Sequence, residues 1–354
     1  MQNTSTPKLD RAFIPAAAFL LGCLGIVIWD QCFQWHTRED YNFGFLVPFC
    51  FGYVLYDRWP AIRATLLGTA PEPSPAPPPA GRHWDTLVYA GLALALPLFG
   101  LGAAMRAISG PGILATWFNT FGFISIFLGL AWTFSKENAA GRALSFKERS
   151  RFIALFAFPA LVWFISGPML YLMDTQIKIL LLREVTSAVV NMLGWVDINL
   201  TQEGNVILLP QVLPGGQHDS VGVADACSGI RSLTACTFMG AFLSATFLHG
   251  PVRKILLLAA SLIFALLLNV LRTGFLTLWA FKKGSAALSL DLWGAVEKLP
   301  NGVRNPEFTL GTVHDIAGYI AMGMTFMLLL AMLPVLNANY TRRTPETHGD
   351  EPEK

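Results

Sequence analysis

Charge is scarce in this chain. Its 25 Lys and Arg and 23 Asp and Glu make up 14% of 354 residues, where a soluble chain runs near a quarter. So few charges cannot cover the surface of several globular domains. The formal net charge is +2 without a basic run, which excludes a nucleic-acid binder. Cysteine is scarce too: there are five, three of them inside apolar stretches, which excludes a disulfide-stapled secreted domain. What is abundant is apolar surface: 53% hydrophobic residues, 26 Phe and 10 Trp, with a mean hydropathy of +0.49. That rules out a disordered chain. The fold class expected is an all-α polytopic membrane protein.

Apolar stretches long enough to cross a hydrocarbon core of about 30 Å fall at 13–29, 43–59, 87–105, 113–134, 152–173, 230–249, 253–281 and 315–336, about eight transmembrane helices. Pro48 and Tyr, Asn and Gly residues interrupt the second, which membrane helices tolerate. Met1 to Asp10 is polar and the first span is long, so no cleavable signal is expected. The organisation is read as membrane helices one and two over 1–59, a Pro-rich cytoplasmic linker over 60–86, and helices three to five over 87–173. An extracytoplasmic segment over 174–229 precedes helices six to eight over 230–336, which include the loop 282–313, and a tail over 337–354.

Basic residues in short loops stay on the cytoplasmic side. With the N-terminus inside, cytoplasmic segments hold 15 of the 25, including Lys136, Arg142, Lys147, Arg149 and Arg151 in one loop. The two short outside loops hold only Arg38 and Arg106. Both termini are therefore expected inside. The run Pro71 to Ala80 is a spacer that cannot be helical, because Pro lacks the amide donor. The basic loop 135–151 sets topology and touches anionic headgroups.

The segment 174–229 opens with an amphipathic stretch of Ile177, Ile179, Leu180, Leu181, Val185, Val189, Val190 and Leu193, read as an interfacial helix. Asp197 to Pro210 alternates around an Asn-containing turn and reads as a short β-hairpin. Pro214-Gly-Gly216 breaks the chain before the sixth span.

Ionisable groups cost several kcal/mol in a membrane, so each is a functional candidate. Cys227 lies in Ala226-Cys-Ser-Gly-Ile-Arg231 at the mouth of span six, Arg272 in Asn269-Val-Leu-Arg272 within span seven, and His314 in His314-Asp-Ile-Ala-Gly318 at the start of span eight. The topology puts all three near the outer face. Arg272 is 19 residues beyond Arg253, or roughly 28 Å at helical rise. A Cys, an Arg and a His at the outer ends of consecutive helices can form a thiol site: His moves the proton, Arg lowers the thiolate pKa or holds an oxyanion, and Cys attacks a carbonyl. Arg231, four residues after Cys227, falls on the same face and can pair with Asp225 or a substrate carboxylate.

Blander readings stand beside these. Cys23, Cys32, Cys50 and Cys236 read as small hydrophobes. His314 alone reads as an interfacial hydrogen-bonder capping its helix with Asp315, and the other His residues as surface groups. Arg272 alone can snorkel. No metal site is expected, because Cys227 and His314 are the only ligand pair in reach. No cofactor is expected either, since there is no phosphate loop to imply ATP.

These motifs, in this order and spacing, resemble the exosortase/archaeosortase family of membrane cysteine transpeptidases, most strongly over about 150–335. Glu203-Gly-Asn-Val-Ile207 and Pro210 are similar to the family's lead-in to the Cys motif. The resemblance implies Cys227 as nucleophile, Arg272 as the group stabilising thiolate or transition state, and His314 as general acid/base, with Ser228, Arg231, Asn269 and Asp315 binding substrate or supporting. A His at the third position is similar to the bacterial branch. The resemblance further implies secreted proteins as partners, each with a C-terminal tail of a short motif (Pro-Glu-Pro in the common case), an apolar span and a basic end. The Cys would cleave near the motif, form a thioester and pass the protein to an acceptor at the outer face of the bacterial inner membrane.

This chain departs from the family's early Ser-His-Gly motif, carrying Tyr41-Asn-Phe-Gly-Phe-Leu-Val-Pro48 without the His. It is expected to carry no fused C-terminal domain, since about 18 residues follow the last span. Pro71-Glu72-Pro73 sits on the cytoplasmic side of this topology and reads as part of the spacer. Two alternatives use no cysteine chemistry. One is an inner-membrane transporter or polysaccharide-export component with Arg272 in its path, though no inverted repeat is seen; the other is a non-enzymatic assembly partner.

Overall fold

The structure is a computed structural model that describes residues 11–69, 78–138, 141–172, 178–213, 215–223, 229–289 and 311–341. The Pro-rich run 71–77, most of the 282–313 loop, the tail beyond 341, and Asp225, Cys227 and Ser228 lie outside the described residues. The chain divides into two compact units, residues 1–176 and 177–354.

Long apolar runs in the first unit become helices because only a helix satisfies every backbone group within one segment in lipid. These are α1 (Phe13–Thr37), α2 (Val47–Leu67), α3 (Arg82–Ser109) and α4 (Ile113–Phe134), followed by α5 (Phe146–Ala154), α6 (Ala157–Ser166) and α7 (Pro168–Leu172). A 3-10 stretch, Glu39–Leu46, joins α1 to α2. Pro48 opens α2 in its first turn, where no amide partner is needed. Helices α3 and α4 pack closely through glycine: a Cβ on Gly122 would lie 2.7 Å from the Phe99 Cβ, and one on Gly102 2.8 Å from the Asn119 amide nitrogen.

The fifth stretch, expected as one span over 152–173, is broken. Helices α5 and α6 meet at a 44° bend, and Gly167 separates α6 from α7. Pro159 accounts for the bend, since it lacks an amide and its ring crowds the carbonyl four residues back, that of Leu155. The freed Leu155 carbonyl accepts a hydrogen bond from Arg58 Nη1.

Buried polar groups tie the first unit together. Gln31 Nε2 donates to Thr120 Oγ1 and to the Trp163 carbonyl, both at 3.0 Å, while Ser166 Oγ donates to Gln31 Oε1 at 2.6 Å. Trp35 Nε1 donates to the Ser166 carbonyl at 3.0 Å. Gly44 has a physical reason to be glycine: a Cβ there would lie 2.2 Å from the Trp35 ring. Asp30, fully buried, pairs with Arg106 Nε at 3.2 Å. At the opposite end of α3, Asp85 accepts from Arg149 Nη1 at 2.7 Å and Trp132 Nε1 at 2.9 Å.

The second unit contains α8 (Lys178–Gly194), β1 (Thr201–Glu203), β2 (Val206–Val212), β3 (His218–Gly222), α9 (Gly229–Phe247), α10 (Pro251–Lys283) and α11 (Val313–Thr341). The expected hairpin is present as β1 and β2, which turn at Gly204 with φ +62° and pair Glu203 with Val206. A third antiparallel strand, β3, adds Val221 opposite Ile207. Its sequence, His-Asp-Ser-Val-Gly, hides it, because the residue that alternates inward with Val221 is a buried Asp219.

Helix α8 buries Leu182, Val185, Val189 and Leu193 against Ile207, Leu209 and Val221 of the sheet and Leu276 and Ala280 of α10. The amphipathic face read as interfacial thus packs on protein, shifted to include Leu182, while Leu180 is 62% exposed.

Helices occupy all eight expected stretches, but by length and hydropathy five of the described helices are fit to cross a membrane, or six with the bent α5–α6 pair. Helix α2 carries Asp57, Arg58 and Arg63, and the apolar part of α9, Ser232–Phe247, is short. The all-α polytopic fold holds.

Candidate active site

Helices α10 and α11 pack against each other, and their contact brings two of the expected site residues together. Arg272 lies two-thirds along α10, and His314 is the second residue of α11. Arg272 Nη2 is 3.3 Å from His314 Nε2 and donates at 3.2 Å to the His314 carbonyl. One guanidinium nitrogen thus holds both the side chain and the backbone of the same residue.

Guanidinium has donors only, so Nε2 must be the acceptor. We assign His314 as the neutral imidazole with its proton on Nδ1, which faces Asp315 Oδ1 at 3.5 Å. The His314 side chain is 26% exposed. Arg272 Nε is buried and has no hydrogen-bond partner among the described residues. The same is true of Oδ1 of Asn269, one turn back along α10 and 4% exposed.

The start of α11 is fixed by a cap that does not use His314. Asp315 Oδ2 accepts from the Thr312 amide at 3.0 Å and from Thr312 Oγ1 at 2.9 Å, and the Asp315 amide donates back to Thr312 Oγ1 at 3.2 Å. This is a capping box with Asp in the Glu position. It replaces the reading of His314 as the capping group, and it makes Asp315 serve both the helix start and the imidazole.

Gly318, one turn after His314, lies under the guanidinium. A Cβ there would stand 3.0 Å from Arg272 Nη2 and 3.1 Å from Cζ. Gly274 on α10 makes room for Met192 of α8 in the same manner, with a Cβ only 2.4 Å from the methyl carbon.

A second polar contact fastens the sheet to the end of α10. Asp219, 3% exposed, accepts from the Ser285 amide at 2.8 Å, from Ser285 Oγ at 2.5 Å and from the Ser220 amide at 2.9 Å. Burial alone would raise the Asp219 carboxyl, but the hydrogen bonds from Ser285 and Ser220 outweigh it and hold the pKa below the ordinary carboxylate value. Gln211 Nε2 adds a bond to the Phe281 carbonyl. Strand β3 ends at Gly222, five residues before Cys227 in sequence.

Of the expected site residues, the structure joins Arg272, His314 and Asp315 and buries Asn269 one turn away. Arg231 falls in the first turn of α9, and Cys227 and Ser228 are outside the described residues. Sequence reasoning missed Asp219, Ser285 and Thr312. The Thr312-x-x-Asp315 spacing was a readable signal for the last. Among the described residues no three His, Cys, Asp or Glu side chains group as a metal site.

A family model described as transmembrane exosortase matches residues 35–331. No curated protein and no solved structure matches the chain significantly.

Proposed function

The chain belongs to the transmembrane exosortase family, and from that premise we propose that it is a membrane cysteine transpeptidase with Cys227, Arg272 and His314 as its catalytic residues. The observation that carries the reading is the 3.3 Å contact between Arg272 and His314. Two costly polar groups from different helices meet where one can bind an anion and the other can move a proton. Ser228, Arg231, Asn269 and Asp315 support them, Asp315 through the Nδ1 side of the imidazole.

In the proposed reaction His314 takes the Cys227 thiol proton, and the sulfur attacks a backbone carbonyl of the substrate tail. The carbonyl electrons move onto oxygen, where Arg272 stabilises the oxyanion. Collapse breaks the C–N bond, the departing amine takes the proton from His314, and a thioester remains. An acceptor nucleophile then loses its proton to His314, attacks the thioester and expels the Cys227 thiolate, which regains the proton.

The substrates are secreted proteins with a short C-terminal motif, an apolar span and a basic end. The basic residues of the short loops support a bacterial inner-membrane orientation with both termini inside and the site at the outer face. The test is processing of a tagged tail-bearing protein by the wild type and by Cys227→Ala, Arg272→Ala and His314→Ala. Full-length substrate should accumulate with each variant. Normal processing by Cys227→Ala would overturn the mechanism, and export lost in Arg272→Ala alone would point to transport.

A further inference from the structure

Going beyond the proposed reaction, we infer that the first unit carries a discrete binding site for an anionic phospholipid, distinct from the transpeptidase residues. The site is a cavity of about 610 Å³ between α1, α2, α4 and the α5–α6 pair, lined by side chains such as Leu20, Leu24, Leu55, Trp59, Phe127 and Phe156. Its volume lies within the range of small-molecule sites, about 300–1,000 Å³. The lining is almost wholly apolar, with the Tyr56 hydroxyl and the Trp59 indole N–H as its polar groups. In water such a cavity stays dry, but two of the helices around this one, α1 and α4, are long and apolar enough to cross a membrane. Left empty there, its lining forfeits dispersion contacts that an acyl chain supplies.

The headgroup preference follows from the cavity's edge. Among the α2 residues lining it, Leu55, Trp59 and Ile62 recur at helical spacing, and Arg58 falls on that same face, three residues after Leu55 and four before Ile62. Its guanidinium reaches the Leu155 carbonyl, between the lining residues Phe152 and Phe156. Arg63 on α2 and Lys147 and Arg151 on α5 add positive charge at the ends of these helices. The neighbouring Arg149 and Glu148 are already paired with Asp85 and Arg142, which leaves Asp57 as the acidic residue on α2. Trp59 and Tyr56, 43% and 79% exposed, supply the aromatic groups typical of a headgroup boundary. An acyl chain in the cavity and a phosphate at Arg58 satisfy both halves of the site.

The test is native mass spectrometry of the full chain against phosphatidylglycerol and phosphatidylcholine, with folding checked by thermal unfolding. The wild type should retain phosphatidylglycerol in preference to phosphatidylcholine. Leu20→Trp and Leu55→Trp, which fill the cavity, should lose the bound lipid, while Leu267→Trp, at a 52% exposed position in the other unit, should keep it. Arg58→Gln should still bind but lose about fivefold of the preference, the weight of one basic residue near an anionic surface. Should the Trp variants fail to fold, spin-labelled phosphatidylglycerol should show an immobilised population in the wild type that falls in Arg58→Gln. Equal retention of the two lipids by the wild type, or folded Trp variants that hold phosphatidylglycerol as the wild type does, would overturn the inference.

Discussion

Gly318 and Arg272 are in direct contact across two helices: the guanidinium rests on the glycine, with only 3.0 Å between Nη2 and the place a Cβ would take. Gly318→Ala should therefore lift the guanidinium off α11 by a few tenths of an ångström and break its geometry with His314. Helix propensity favours Ala over Gly by about 1 kcal/mol, so the fold should be retained or gain stability while processing falls by roughly tenfold to a hundredfold. Single-turnover cleavage and thermal unfolding on the same variant check it. Unchanged turnover would mean that Arg272 has slack.

Arg272 makes two contacts through one nitrogen, to the imidazole at 3.3 Å and to the carbonyl at 3.2 Å. A lysine keeps the charge, but its single nitrogen, once holding both contacts, leaves no second nitrogen to offer an oxyanion. Arg272→Lys is expected to lower kcat by roughly a hundredfold, near the loss for one oxyanion donor, with a smaller change in KM. The check is a full substrate titration. Retention of more than a third of wild-type kcat would assign Arg272 to charge alone.

The meeting of Arg272 and His314 was legible in the sequence, because topology placed both at one end of neighbouring spans. So were the hairpin and the helical class. Each of these follows from local periodicity or from the side of the membrane. What the sequence hid depends on distant pairing. Pro159 is visible as a helix breaker, but its effect on Leu155 and the reach of Arg58 across 97 residues are tertiary facts. Asp219 gives no local sign of its role, because its donor Ser285 lies 66 residues on. Strand β3 was missed for the same reason, since its inward alternation includes that charge.

Asp30 and Arg106 form a buried pair in the first unit, with side chains 0% and 10% exposed. Arg106 also stacks 4.5 Å over the Trp29 ring. Removing one partner strands a charge in an apolar interior, so Arg106→Ala should cost about 3–5 kcal/mol. Replacing both, as Asp30→Leu with Arg106→Met, should recover most of it. Thermal unfolding in detergent distinguishes the two, and a double variant no better than the single would show that Thr116 and Asn119, which face Asp30, matter more than the ion pair.

Asp219 supplies the pH prediction. Its folded pKa is depressed by hydrogen bonds from Ser285 and Ser220, whereas unfolded it would titrate near an ordinary carboxylate value of about 3.9. A depressed carboxylate binds fewer protons folded than unfolded, so its contribution is fully present above about pH 4 and is lost as pH falls through the lower, folded value. The clamp between β3 and the end of α10 should therefore be intact at neutral pH and open on acidification. Hydrogen exchange at the Ser285 amide, which donates to Asp219 at 2.8 Å, reads it directly. Ser285→Ala removes one bond to a charged acceptor and should weaken the clamp by about 1.5–3 kcal/mol at neutral pH. Asp219→Asn should abolish the acid dependence, since the amide cannot titrate. If wild-type protection instead rises as pH falls below 4, the carboxylate is not what holds the sheet.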